Sequence, residues 1–156
     1  MLKHLVEQRR QLVGDRVRIT NRLRASLKQY YPEVLEWFDD IDTPIFCDFL
    51  ARWPTLRQAK RARKNTLSTF FHEHNMRFEQ VLEQRLAAIK SAVPLTLDEA
   101  VIVPYRLQSL ILLDQLRVLL DAIKQYDKEI ERVATAHADH GLFSALPGAT
   151  FTGRLW

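Results

Sequence analysis

The chain is 156 residues long, 47% hydrophobic, and carries a formal net charge of +4. That length buries one core, while four glycines and six prolines are too few for an all-β chain that must turn about every ten residues. No apolar run is long enough to cross a membrane, "MLKHLVEQRR" has no secretory apolar region, and the lone Cys47 excludes an intrachain disulfide.

Leu, Arg, Gln, Ala, Glu and Lys dominate, which is the vocabulary of helices. The expectation is an all-α cytoplasmic protein, an elongated helical bundle with a long coiled-coil helix. Charge is laid out in blocks: residues 1–31 hold eight Lys/Arg against two acids, 32–51 six acids and no base, and 52–64 six bases and no acid. Such blocks point either to a polyanionic partner or to neutralisation of one block by the next in the fold.

The first element runs from about Leu2 to Tyr30 as one amphipathic helix, with Leu5, Leu12, Ile19, Leu23 and Leu27 on its apolar arc. Proline disfavours helical geometry in the residue before it, so Tyr31-Pro32 ends the helix. Arg9 and Arg16 project onto the middle of the apolar arc. Either a carboxylate pairs with them, or this face meets phosphates as well as apolar neighbours. Arg10, Arg18, Arg22, Arg24 and Lys28 spread charge around the flanks.

"PEVLEWFDDIDTP" reads as an acidic connector whose Thr43-Pro44 is an N-cap followed by a first-turn proline. Two short helices follow, "IFCDFLARW" ending near Trp53-Pro54 and "TLRQAKRARKN" with a basic second half. Residues 66–93 read as one more helix on the spacing of Phe78, Leu82, Leu86, Ile89 and Val93. His72 and His74 within it are two apart, not the four that a helical zinc site needs, and read as a solvated turn.

Thr96 to Glu99 reads as a capping box opening the strongest periodicity in the chain. Its seam is Ile102, Tyr105, Ser109, Leu112, Leu116, Leu119, Ile123, Tyr126, Ile130, Val133 and His137, in steps of three and four. That is a coiled-coil signal. It pairs either with the first helix of the same chain or with another chain, and Leu112, Leu116, Leu119, Ile123, Tyr126, Ile130 and Val133 are the candidate oligomerisation residues. Pro104 permits a kink. At the end, "FSALPGATFTGRLW" reads as a tight turn over Leu146 to Thr150 and the opening of a further helix, as expected of a fragment. The chain thus divides into a basic helix (1–31), a short-helix region (32–93), the heptad helix (94–140) and a terminal segment (141–156).

"RRQLVGDRVRITNRLRASLKQYYPEV", "WPTLRQA", the heptad helix and "HADHGLFSALPGAT" come in an order that resembles the middle of transposases of the IS-one-ten type of bacterial insertion sequences. The resemblance is most specific at Arg9 to Val13, at Asn21-Arg22-Leu23, at Trp53-Pro54-Thr55 and at Leu146-Pro147-Gly148. From 64 to 135 only the helical pattern agrees. It implies a parent enzyme with a RuvC-like Asp-Glu-Asp-Asp domain holding a divalent metal, a coiled-coil region, and a C-terminal transposase domain. That last domain opens on the Leu-Pro-Gly turn and carries a catalytic serine downstream. No residue here matches either catalytic set; Ser26, Ser68, Ser91, Ser109 and Ser144 occupy no corresponding motif.

The resemblance implies a non-catalytic segment, with no cofactor of its own, of an enzyme that cuts and joins DNA as an RNA-guided oligomer. Its expected partners are DNA, guide RNA and further copies of the chain, with no membrane and no small-molecule substrate. The candidate backbone contacts are Arg9, Arg10, Arg16, Arg18, Asn21, Arg22, Arg24 and Lys28, then Arg57, Lys60, Arg61, Arg63 and Lys64, and Gly148 in the terminal turn. The alternative is a helical assembly or scaffold module that binds no nucleic acid. Arginines on the apolar arc of the first helix count against it.

Overall fold

The computed structural model describes residues 1–139, and the candidate turn around Gly148 lies outside them. Among the described residues there is no strand, and the elements are α1 (Leu2–Lys28), α2 (Glu33–Trp37), α3 (Pro44–Arg52), α4 (Leu56–Arg61), α5 (Lys64–Glu73), α6 (Glu79–Ser91) and α7 (Glu99–Asp139). None of these helices is long and apolar enough to cross a membrane. They form two compact units. One comprises residues 1–18 with the described residues from Leu116 on, and the other Ile19–Gln115.

In the first unit α1 meets α7. The Tyr126 hydroxyl donates to Gln8 Oε1 at 3.0 Å, and the Arg9 guanidinium donates to Asp127 Oδ1 at 2.5 Å. Leu116, Ile123, Ile130 and Val133 are buried. In the second unit the same two helices meet again, where the Ser26 and Ser109 hydroxyls lie 2.8 Å apart and Ser26 Oγ donates to the Tyr105 carbonyl at 3.2 Å. Two small hydroxyls let the helices approach and satisfy each other, which a buried polar group requires. No residue of the heptad seam is exposed in the single chain.

The second unit is organised around aromatic rings. Phe49 is fully buried and its ring lies 4.9 Å from Trp53, 5.1 Å from Phe38, 5.6 Å from Phe70 and 5.9 Å from Trp37. The Trp37 and Phe70 contacts are edge-to-face and those with Phe38 and Trp53 tilted, and ring pairs of this kind add to the stabilisation from burial itself. The acidic connector therefore does more than link helices: α2 and the residues after it bury Val34, Trp37, Phe38 and Ile41.

Local signals set the helix ends. Thr43 Oγ1 accepts from the Phe46 amide with Pro44 at the first helical position, and Thr55 Oγ1 accepts from the Gln58 amide at 3.2 Å. The single helix expected over 66–93 is two helices. Asn75 takes a left-handed conformation (φ 65°), with Asn75 N–H donating to His72 and Met76 N–H to Phe71, the double bond of a Schellman stop. The capping box expected at Thr96 is also replaced. Asp98 caps α7 by accepting from the Ala100 amide at 2.9 Å, and Thr96 accepts from the Asp98 amide. Pro104 sits inside α7 without ending it.

Candidate nucleic-acid interface

The cations expected to meet phosphate have different fates in the two units. In the first, Arg9 is only 6% exposed and bound to Asp127. Arg10 lies 2.6 Å from Glu7 one helical turn away and, by hydrogen bonding to it, holds that carboxyl below its ordinary range. Arg18 also forms an ion pair with Asp15 one helical turn away. Arg16 is half-buried on the apolar arc.

In the second unit the picture reverses. Arg22 and Lys28 are exposed on α1, and Arg24 donates to the side-chain carbonyl of Asn21 at 3.3 Å, which keeps that oxygen local. No acid lies within a helical turn of these residues in the sequence. Arg57, Arg61 and Arg63 are exposed, and among the described residues none of them has an ion pair. Lys64 makes only a loose, exposed pair with Glu83 at 3.5 Å.

Lys60, also expected to meet phosphate, is bonded within the fold. Its ammonium donates to the Ala92 carbonyl at 2.5 Å, while Lys90 donates back to the Lys60 and Ala62 carbonyls at 2.7 and 2.9 Å. Lys90 thereby satisfies the orphan carbonyls at the C-terminus of α4, where the helix dipole favours a cation. The two lysines tie α4 to the segment that leads into α7.

That tie frames a cleft of about 700 Å³ in the second unit. One wall is α4, with Arg57, Lys60 and Arg61. The other is the connector and first turns of α7, with Pro94, Leu97, Ile102 and Arg106. Tyr30 also lines it. Its hydroxyl donates to the Pro54 carbonyl at 2.9 Å, and burial pushes its pKa up to about 12 against the opposing pull of Ser109 and Arg106, so it stays a neutral donor. Sequence reasoning does not single out Arg106: its one signal is a lone cation next to a seam tyrosine in an otherwise apolar stretch.

His74, expected in a solvated turn, is instead part of the packing. Nε2 lies 2.8 Å from Asp48 Oδ2, Nδ1 lies 2.8 Å from the Phe70 carbonyl, and the ring sits 4.3 Å from Phe70. Burial pulls its pKa down, but the Asp48 bond, the Phe70 carbonyl and the charges of Asp48 and Glu73 outweigh this and raise it. Among the described residues no group of three or more His, Cys, Asp or Glu side chains is placed to hold a metal ion.

The chain is 33% identical over 66 residues to a Sinorhizobium fredii (strain NBRC 101917 / NGR234) protein named "Putative transposase y4uE". The aligned stretch is 42% of this chain and 18% of that protein, so the chain matches less than a fifth of its relative's length. A relation to a transposase is supported to that extent. No protein-family profile and no solved structure matches the chain.

Proposed function

We propose that the chain is a non-catalytic helical segment of transposase machinery that grips nucleic-acid backbone through the cations of its second unit. The observation that carries this is the contrast just described, set beside the relation to a transposase. Arg22, Lys28, Arg57, Arg61 and Arg63 reach solvent without a carboxylate partner, whereas Arg9, Arg10 and Arg18 are spent on acids. Cations held on helices without counter-charges supply affinity by releasing the counterions of phosphate, without reading sequence. The finer assignment to the IS-one-ten type rests on the motif order, and strand cleavage belongs on that reading to residues this chain does not contain.

Of the seam residues that could join two chains, Leu112, Leu116, Ile123, Ile130 and Val133 are buried within one chain while Leu119 and Tyr126 are half-buried, and this reading does not depend on oligomerisation through them. The assembly alternative keeps one observation in its favour: Leu107 and Ile111, one turn apart on α7, are 53% and 58% exposed. Binding of the chain to labelled duplex DNA and to a structured RNA over a salt series, with its mass in solution measured alongside, separates the two. Micromolar binding with a steeply negative salt slope is expected. A clean dimer that binds neither at low salt would sink the proposal in favour of assembly.

A further inference from the structure

The cleft beside α4 has more than charge. Arg57 and Arg61 on one wall and Arg106 on the other have no ion pair among the described residues, and Glu99 is the one carboxylate in the lining. On the same wall as Arg106 lies an apolar surface made by Pro94, Leu97 and Ile102, with Leu97 itself 80% exposed. The Lys60 bond to Ala92 fixes the start of the connector that carries Leu97.

Concave shape, cations on both sides and an apolar patch on one wall fit one kind of polyanion. A duplex keeps its bases paired and stacked inside, so it presents a convex backbone that touches the cations and leaves Leu97 bare. An unpaired strand has a phosphate and a free base face for every nucleotide, and it places both at once. The volume of about 700 Å³ lies in the range of about 300–1,000 Å³ typical of sites that enclose small molecular units.

Resting on the backbone-binding reading above, we propose that this cleft seats an unpaired stretch of nucleic acid, its phosphates on Arg57, Arg61 and Arg106 and a base against Leu97 and Ile102. Leu97 thereby becomes the specificity-determining residue for single strands, Arg106 a phosphate contact, and Lys60 a positioning residue for the connector.

The test is fluorescence anisotropy of the whole chain with oligo-dT and oligo-U of about twelve nucleotides and a hairpin duplex of matched charge. Either single strand should bind about tenfold tighter than the hairpin, and Leu97→Ser should remove about that factor while leaving the hairpin unchanged. Leu97 is exposed, so circular dichroism should show the same helix content in the variant. Arg106→Gln should lower the single-strand salt slope by roughly 0.7, the value of one phosphate contact. A hairpin bound as well as either strand, with Leu97→Ser indifferent, overturns the cleft assignment and leaves backbone binding standing. A poly-glutamate peptide that displaces the strand at equal charge overturns it too, and assigns the cleft to an acidic protein instead. No binding to any of the nucleic acids overturns both proposals.

Discussion

Residues 1–18 and residues 19–64 both carry blocks of cations, yet the two stretches use them oppositely. In the first, Glu7 and Asp15 stand three residues before Arg10 and Arg18 and close on them within one helical turn, and Asp127 comes from α7 to meet Arg9. In the second, Arg22, Arg57, Arg61 and Arg63 have no acid at helical spacing and none arrives from elsewhere among the described residues. The lesson is that a basic block becomes a candidate phosphate surface only where its own helix leaves the charge unanswered. Pairs exposed on one turn contribute little to stability, whereas the buried Arg9 pair is expensive to break.

The largest expected effect breaks the second unit. Phe49→Ala removes the ring that touches Trp37, Phe38, Trp53, Phe70 and Phe71, and should cost about 3–5 kcal/mol by denaturant unfolding. A cost below about 1 kcal/mol would mean that the aromatic cluster is not its core.

Next comes the buried cation of the first unit. Arg9→Met strands Asp127, whose side chain is 30% exposed, so the cost should be about 2 kcal/mol, below that of a fully buried pair. Pairing it with Asp127→Leu should recover most of that stability, and nucleic-acid binding should not change. Binding that falls with Arg9→Met at unchanged stability would return Arg9 to the phosphate surface.

Gly14 lies inside α1, and a methyl group there meets nothing closer than the Arg18 guanidinium at 3.8 Å. Gly14→Ala should therefore stabilise the chain by about 0.5–1 kcal/mol. A destabilised variant would show that α1 needs its glycine.

A smaller, pH-dependent effect belongs to the second unit. The folded pKa of His74 is raised above the ordinary 6.5, so its contribution is fully present below pH 6.5. It fades as pH rises through the higher folded value. Asp48→Asn should flatten stability across that window, and an unchanged profile would show that the His74–Asp48 contact carries no net charge interaction.

Much of this is readable from the sequence, for reasons of locality. The cap at Thr43 depends on a residue three positions away, and the α7 seam depends on a repeat carried by one helix. What escapes depends on distance or on a single dihedral angle. The acids of "FDDID" conceal Trp37, Phe38 and Ile41 as core because charge dominates the local composition. The stop at Asn75 comes from one left-handed residue that leaves the apolar spacing on either side intact. Asp127 is 118 residues from Arg9, and Lys90 reaches back 30 residues to Lys60. Arg57, Arg61 and Arg63 are legible as a basic block, but the wall that Arg106 and Leu97 supply across the cleft is not, because nothing in either stretch refers to the other.

The central claim is that equal charges in the two units are not equal in binding, and two triple variants of matched net charge test it most directly. Arg57→Gln, Arg61→Gln and Arg63→Gln remove unpaired cations, while Arg10→Gln, Arg18→Gln and Arg132→Gln remove paired ones. In a salt titration on duplex DNA, the first set should lower the slope by roughly 0.9 for each phosphate no longer neutralised, and the second should leave it at the wild-type value. Equal reductions from the two sets would contradict the account, because binding would then follow net charge and not the placement that this fold gives it.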